Sequence, residues 1–211
     1  MSSGLQAEAP WNDLTSNSYC NKGLAGDYDY DYEVGPQVQC TVVDGVELPT
    51  SIYIAADYVG DDGLAGALPP SIGELRSSLT VLDLNDNAIT SLPTEIGALT
   101  NLAILDLSYN DLTSVPTEVG ALTGLTFLGL SSNALTSVPS EIGALTLRFL
   151  FLNNNALTGV PSDFRTIAPS NFCRFDENPS FSCANVGAGT KCCTKDNDCG
   201  PTLSGGPCYA G

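Results

Sequence analysis

One phrase of 23 residues recurs along the middle of this 211-residue chain, and it dictates what the chain can build. Segments starting at Leu79, Leu102, Leu125 and Leu147 read LTVLDLNDNAITSLPTEIGALTN, LAILDLSYNDLTSVPTEVGALTG, LTFLGLSSNALTSVPSEIGALT and LRFLFLNNNALTGVPSDFRTIAPS, with starts 23, 23 and 22 residues apart. A unit this short cannot bury its own leucines, so it must stack on its neighbours in a solenoid. A degenerate copy precedes them, in which Ile52, Ile54 and Asp57 stand where Leu82, Leu84 and Asn87 stand later. A half copy follows, with Cys173 and Phe175 at the core positions and Asn178 at the asparagine position. The array should therefore be about six strands long.

Each part of the phrase has a physical task. The L-x-L centre alternates as a strand does, so its leucines face inward, the intervening residues face the concave surface, and neighbouring strands pair in parallel. Asn87, Asn110, Asn133, Asn155 and Asn178 are expected buried at the following turn, bonding backbone groups of their own and adjacent repeats, because a buried amide needs partners. Pro93, Pro116, Pro139 and Pro161 suit the first position of a short convex helix, with an acidic residue two places on favouring its N-terminus. Gly97, Gly120 and Gly143 should keep those helices short. The predicted fold class is thus α/β: a short horseshoe-shaped solenoid, with a parallel sheet on the concave face and short helices or 3-10 turns on the convex face.

The pattern L-x-x-L-x-L-x-x-N-x-L resembles the leucine-rich repeat. Residues 46–178 are similar to the extracellular leucine-rich repeat proteins of plants and protists, including ectodomains of receptor-like kinases and polygalacturonase inhibitors. Leu64 opens LAGALPPSIG, which is similar to the plant-type signature L-x-G-x-I-P, whereas the later L-T-S-V-P-x-E-I-G-x-L copies look closer to the shorter intracellular Ras-group class. The resemblance implies the solenoid fold and says little about the ligand.

The eight cysteines, Cys20, Cys40, Cys173, Cys183, Cys192, Cys193, Cys199 and Cys208, occupy only the two end regions. Such segregation reads as disulfide-stapled ends around a cysteine-free middle, which implies an oxidising compartment and an extracellular or cell-surface location. Zinc is the rival, but no paired C-x-x-C spacing and no histidine complete a site. The N-terminus MSSGLQAEAPW has neither the basic nor the apolar region of a secretory leader, so a mature form or a fragment is expected. Three regions follow: an N-terminal disulfide cap over 1–45, repeats over 46–178, and a cysteine-rich C-terminal cap over 179–211.

Trp11, Cys20 and Cys40 resemble the N-terminal cap of plant-type arrays, with a wider cysteine spacing than that family uses. A bridge between these cysteines would stabilise by about 3 kcal/mol on loop-closure grounds. Within the loop, Asp27, Asp29, Asp31 and Glu33 alternate with Tyr28, Tyr30 and Tyr32. A solvated cap hairpin is the favoured reading of this run; calcium binding, tyrosine sulfation and an acidic docking strip are alternatives. The last six cysteines, with an adjacent pair third and fourth, are similar in order to inhibitor cystine knot peptides. That resemblance implies Cys173 with Cys193, Cys183 with Cys199 and Cys192 with Cys208, although six cysteines allow 15 pairings. A cap joined to the array is preferred to an independent knot, because Cys173 holds a core strand position and the last repeat must be covered.

Charge narrows the partners. With 24 acidic residues against 7 basic ones, the net charge is −17. Such a surface repels phosphate backbones, which argues against nucleic acid, and it disfavours anionic membrane surfaces. No apolar run of about 18 residues is present, so no direct membrane insertion is expected. The absence of histidine removes Ser-His-Asp and Cys-His catalysis and histidine metal sites. No cofactor or metal is assigned. The acidity is graded along the chain: residues 1–70 carry net −10, 71–160 net −6, and 161–211 net −1.

The candidate site is the concave face. The third strand position reads Ser51, Val81, Ile104, Phe127, Phe149 and Phe172, and the fifth reads Tyr53, Asp83, Asp106, Gly129, Phe151 and Arg174. At about 4.8 Å between strands, Phe127, Phe149 and Phe172 would form a ladder, with Phe151 beside it and Tyr109 near. Asp83, Asp86 and Asp106 are expected to cluster toward the N-terminal side. Aromatic anchors beside charges suit a protein, peptide or glycan ligand, so the expected function is non-catalytic extracellular recognition. Cross-strand packing alone is the competing account of the phenylalanines. A structural or adhesive cell-surface role, or a fragment of a receptor ectodomain, is the alternative function. A glycosidase built on Asp83 and Asp106 is a remote one, because the face is open and repeat duplication accounts for both aspartates.

Overall fold

The computed structural model describes residues 37–43, 46–54, 64–76, 78–161, 172–180 and 192–193, with positions 37, 43, 46, 47, 172, 192 and 193 described by backbone alone. Trp11, Cys20, the run 27–33, Asp57, Cys183, Cys199 and Cys208 lie outside the described residues.

Alternation in the L-x-L centres produces the strands. The chain forms β1 (Gln37–Val43), β2 (Val46–Tyr53), β3 (Ala65–Ala67), β4 (Val81–Asp83), β5 (Ala88–Ser91), β6 (Ile104–Asp106), β7 (Phe127–Gly129), β8 (Phe149–Phe151), β9 (Phe172–Arg174) and β10 (Cys192–Cys193). The main sheet runs β1-β2-β4-β6-β7-β8-β9-β10. Only β1 and β2 pair antiparallel; every later neighbour is parallel. The structure is the expected solenoid, and the main sheet takes one strand per repeat from β2 to β9.

Burial follows the pattern. Leu82, Leu84, Leu105, Leu107, Leu128, Leu130 and Leu152 are 0% exposed, as are the repeat-opening Leu79, Leu102, Leu125 and Leu147. At roughly 1.5–3 kcal/mol for each fully buried leucine, this stacked column supplies most of the drive to fold. It is continuous from Ile52 to Phe175, so each repeat is stabilised chiefly by its two neighbours.

The asparagine ladder ties the turns together. Asn110 donates from Nδ2 to the carbonyls of Leu84, Leu107 and Ser108 at 2.9, 3.1 and 3.2 Å, and its Oδ1 accepts the Ile89 N–H at 2.9 Å. Asn87, Asn133, Asn155 and Asn178 repeat this arrangement in their own turns. Each amide thus bonds its own turn and the carbonyl of the preceding repeat. Asn110, Asn155 and Asn178 are buried as expected, while Asn87 and Asn133 are half-buried.

One expectation about the convex side is corrected. Its segments Thr94–Ala98, Thr117–Ala121 and Ser140–Ala144 are 3-10 helices, and Pro93, Pro116 and Pro139 precede them as extended caps, with ψ of 156°, 149° and 146°. The prolines are not at the first helical position because their carbonyls accept the first turn's bonds, from the N–H groups of Ile96, Val119 and Ile142. Among the described residues Pro70 alone stands inside its segment, Pro70–Leu75, after the cap Pro69. The glycines, in turn, set the distance between segments. A Cβ on Gly97 would lie 2.8 Å from the Glu118 carbonyl oxygen, and one on Gly73 would lie 2.8 Å from Glu95 Cβ. Gly120 meets Glu141 in the same way. Missing side chains let successive 3-10 turns stack, a packing role the sequence did not announce.

Both ends of the sheet are covered by cysteine-bearing strands. At the N-terminal edge β1 lies against β2, with a bulge between Gln39 and Cys40, and Thr50 Oγ1 donates to the Gln39 carbonyl at 3.1 Å. At the other edge β10 pairs with β9, placing Cys192 opposite Cys173. Among the described residues no cysteine is free, and Cys40 and Cys173 are disulfide-bonded. A feature the repeat pattern did not reveal is a second, small parallel sheet that joins β3 of the degenerate first copy to β5 of the copy starting at Leu79.

Candidate recognition face

The two concave rows assemble in the register expected of them. Ser51, Val81, Ile104, Phe127, Phe149 and Phe172 stand opposite one another on successive strands, and so do Tyr53, Asp83, Asp106, Gly129, Phe151 and Arg174. The reason is the unbroken parallel pairing: repeats of nearly constant length leave no room for a slip, which would turn the leucines outward.

The Phe127 ring centroid lies 6.2 Å from that of Phe149 and 5.4 Å from that of Phe151, with the planes tilted by 45° and 49°. These are favourable tilted aromatic contacts. Packing does not hide the cluster, since Phe149 remains 41% exposed and the neighbouring Ile104 37%. Phe172 continues the row in backbone register; its side chain is outside those described. Ser51, at the other end of the same row, is buried.

The acidic residues divide into two sets. Asp83 and Asp106 are direct cross-strand neighbours and both half-buried. Each uses Oδ1 to accept the N–H two residues on, from Asn85 at 3.2 Å and from Ser108 at 3.0 Å, closing the turn after the strand. Asp86 is not part of this pair. It occupies a left-handed turn position, φ 56°, that recurs as Tyr109, Ser132, Asn154 and Glu177. Tyr109 shares that turn row and is 61% exposed, standing apart from the strand rows. Arg174, at the far end of the fifth row, is held by Asp176, which accepts from Nε at 3.0 Å and pairs with Nη2 at 2.5 Å.

The sequence places Gly129 in the fifth row without a role, and Ser108 is a residue that sequence reasoning missed. A Cβ on Gly129 would collide with Asp106 Oδ1 and would lie 2.8 Å from both Asp106 Cγ and Ser108 Oγ. The Asp106 carboxylate therefore leans over the β7 backbone. A glycine alone at a position filled by side chains in other repeats was the signal for it. Also overlooked was an exposed hydroxyl row, Thr90, Thr113, Thr136 and Thr158. Its edge is held repeat to repeat by backbone bonds from Asp111 N to Ile89 O, Ala134 N to Leu112 O and Ala156 N to Leu135 O, at 3.0, 2.9 and 2.9 Å. Among the described residues no cluster of ligating side chains could hold a metal ion, and no helix is long and apolar enough to cross a membrane.

With this geometry the class is defined: the array is a leucine-rich repeat solenoid. Residues 77–135 match the leucine rich repeat family model. No curated protein matches the chain. Among solved structures, a plant ice-binding protein is 32% identical over 66% of this chain and 45% of its own length, with a TM-score of 0.55. The BIR3–SERK2 complex from Arabidopsis thaliana gives 27% identity over 75% of this chain and 84% of the matched one, with a TM-score of 0.52. The plant peptide hormone receptor RGFR1 in complex with RGF2 gives 28% identity and a TM-score of 0.51, over 61% of this chain and 26% of that receptor. The chain thus spans less than half of the ice-binding protein and about a quarter of the hormone receptor.

Proposed function

We propose that this chain is a non-catalytic extracellular recognition module that binds a protein or peptide through its concave face. The observation that carries the reading is the aromatic cluster on β7 and β8, in which the exposed Phe149 stands in register with the half-buried Phe127 and the half-buried Phe151 packs beside them. Exposed aromatic anchors flanked by charge are the surface a protein partner needs. Similarity to a receptor solved with a peptide hormone supports the same reading. The disulfide-bonded state of Cys40 and Cys173 favours an oxidising, extracellular location, with 1–45 and 179–211 as caps on the repeats 46–178. Asp83 and Asp106 close turns with their carboxylates, a structural task that argues against a glycosidase pair. The test is a screen against extracellular proteins and peptides. Phe149→Ala combined with Phe151→Ala should weaken any partner found at least tenfold, that being about 1.4 kcal/mol; undiminished binding by the folded variant would move the site elsewhere.

A second reading, ice binding, is favoured by the exposed threonine row together with the ice-binding neighbour. Backbone bonds between successive repeats beside the row stack it at about the separation of paired strands, ~5 Å, which gives a regular rank of hydroxyls and methyls. Replacing Thr113 and Thr136 by Lys should abolish inhibition of ice recrystallisation if that reading holds. A wild-type chain that leaves recrystallisation unchanged rejects it.

A further inference from the structure

We infer that the partner of the concave face is an amphipathic α-helix laid across the strands along the third row, with apolar residues at its positions i, i+3, i+7 and i+10. This rests on the recognition reading above and names the chemistry of its ligand. Val81, Ile104, Phe127 and Phe149 are direct partners on β4, β6, β7 and β8, so the row is an uninterrupted apolar stripe across four strands. Ile104 and Phe149 are exposed, and Val81 and Phe127 are half-buried. The backbone that fits such a stripe is the one whose side chains return at the spacing of the strands. From Val81 the row recurs at about 4.8, 9.6 and 14.4 Å. In an α-helix, at about 1.5 Å per residue, positions i+3, i+7 and i+10 lie at about 4.5, 10.5 and 15 Å and within about 80° of arc. Four anchors thus meet four strands to within about 1 Å, as in helix-in-groove recognition. An extended peptide returns to the same side only every ~6.7 Å, so its second anchor falls between strands and it engages at most the two ends of the stripe.

The charges beside the stripe select the helix and its direction. Asp83 and Asp106, both half-buried, stand two residues beyond Val81 and Ile104 in the fifth row, where β7 and β8 carry Gly129 and Phe151 instead. At the other end the exposed Arg148 directly precedes Phe149, and among the described residues it has no ion pair. A partner helix is complementary when basic residues flank its anchors over β4 and β6 and an acidic residue flanks its anchor over Phe149. Docked the other way round, the same helix sets like charges against each other, so one direction is favoured.

The probe is a displayed library of random dodecapeptides selected against the full chain, followed by titration of synthetic winners. Winners should carry apolar residues at i, i+3 and i+7 and should gain helical circular dichroism on binding. Proline at a winner's position i+5, away from the anchors, should weaken it more than about tenfold, because proline breaks a helix interior, whereas alanine there should change little. Ile104→Ala and Phe149→Ala, two strands apart, should each weaken the same winner about tenfold, since one helix spans both. Arg148→Glu should weaken it about threefold through the acidic flank. Urea melts check that each variant is folded. Winners with apolar residues at alternate positions, or indifferent to proline, to Ile104→Ala or to Arg148→Glu, overturn the helical ligand and leave the recognition reading standing. Failure to select any peptide, or equal binding by Phe149→Ala, overturns the recognition reading and the helix with it.

Discussion

At the residue scale the asparagines are the most exacting part of the structure. Asn110 satisfies three carbonyls and one N–H at once, and it is buried. Asn110→Ala should therefore destabilise the chain by about 2–4 kcal/mol, since each buried polar group left without a partner costs about 1–3 kcal/mol. Urea melts of the two proteins measure this. The asparagine role was legible because an amide that returns at one position after every strand, beside buried leucines, must be satisfied by the backbone of the turn. The glycine role was not, because Gly97 answers to the Glu118 backbone of the next repeat, and no property of its own segment announces that approach. Gly97→Ala should cost about 1–3 kcal/mol by overpacking, far more than helix propensity would suggest for a change to alanine. An alanine that stabilises would restore the view that the glycine only limits the helix.

At the element scale the strands carry both the core and the face. Leu128 on β7 is fully buried between repeats on both sides, so Leu128→Ala should cost about 2.7–5 kcal/mol, read from the same melts. Phe149, one strand away but outward-facing, should cost much less when truncated, because 41% of it is already exposed. That contrast separates residues that make the sheet from residues that use it. The concave rows could be read from the L-x-L alternation alone, since parallel pairing of nearly equal repeats fixes which residues meet. Asp86 and Tyr109 lie outside those rows, in the left-handed turn before the asparagine, a backbone conformation that the alternation does not announce. The one-residue error in the prolines has a similar origin: proline suits an extended cap as well as a first helical residue, and its carbonyl decides between them.

At the scale of the whole molecule, the solenoid is an open stack whose ends require covers. Strand β1 bears the disulfide-bonded Cys40 against one edge, and β9 carries the disulfide-bonded Cys173 beside β10 at the other. Cys40→Ser should lower stability by about 2–5 kcal/mol, the usual cost of removing a native disulfide. A melt unchanged by that substitution would show that the N-terminal cap is held by packing alone. Among the described residues the concave face changes from aspartate on β4 and β6 to phenylalanine on β7 and β8. The recognition reading places the partner at the aromatic end of this face, over β7 and β8. The most direct measurement of that claim is photo-crosslinking to a bound partner from a benzophenone amino acid placed at Phe149, compared with one placed at Thr113 on the exposed threonine row. Crosslinks from position 149 and none from 113 are predicted; crosslinks from 113 with none from 149 would contradict recognition by the concave face.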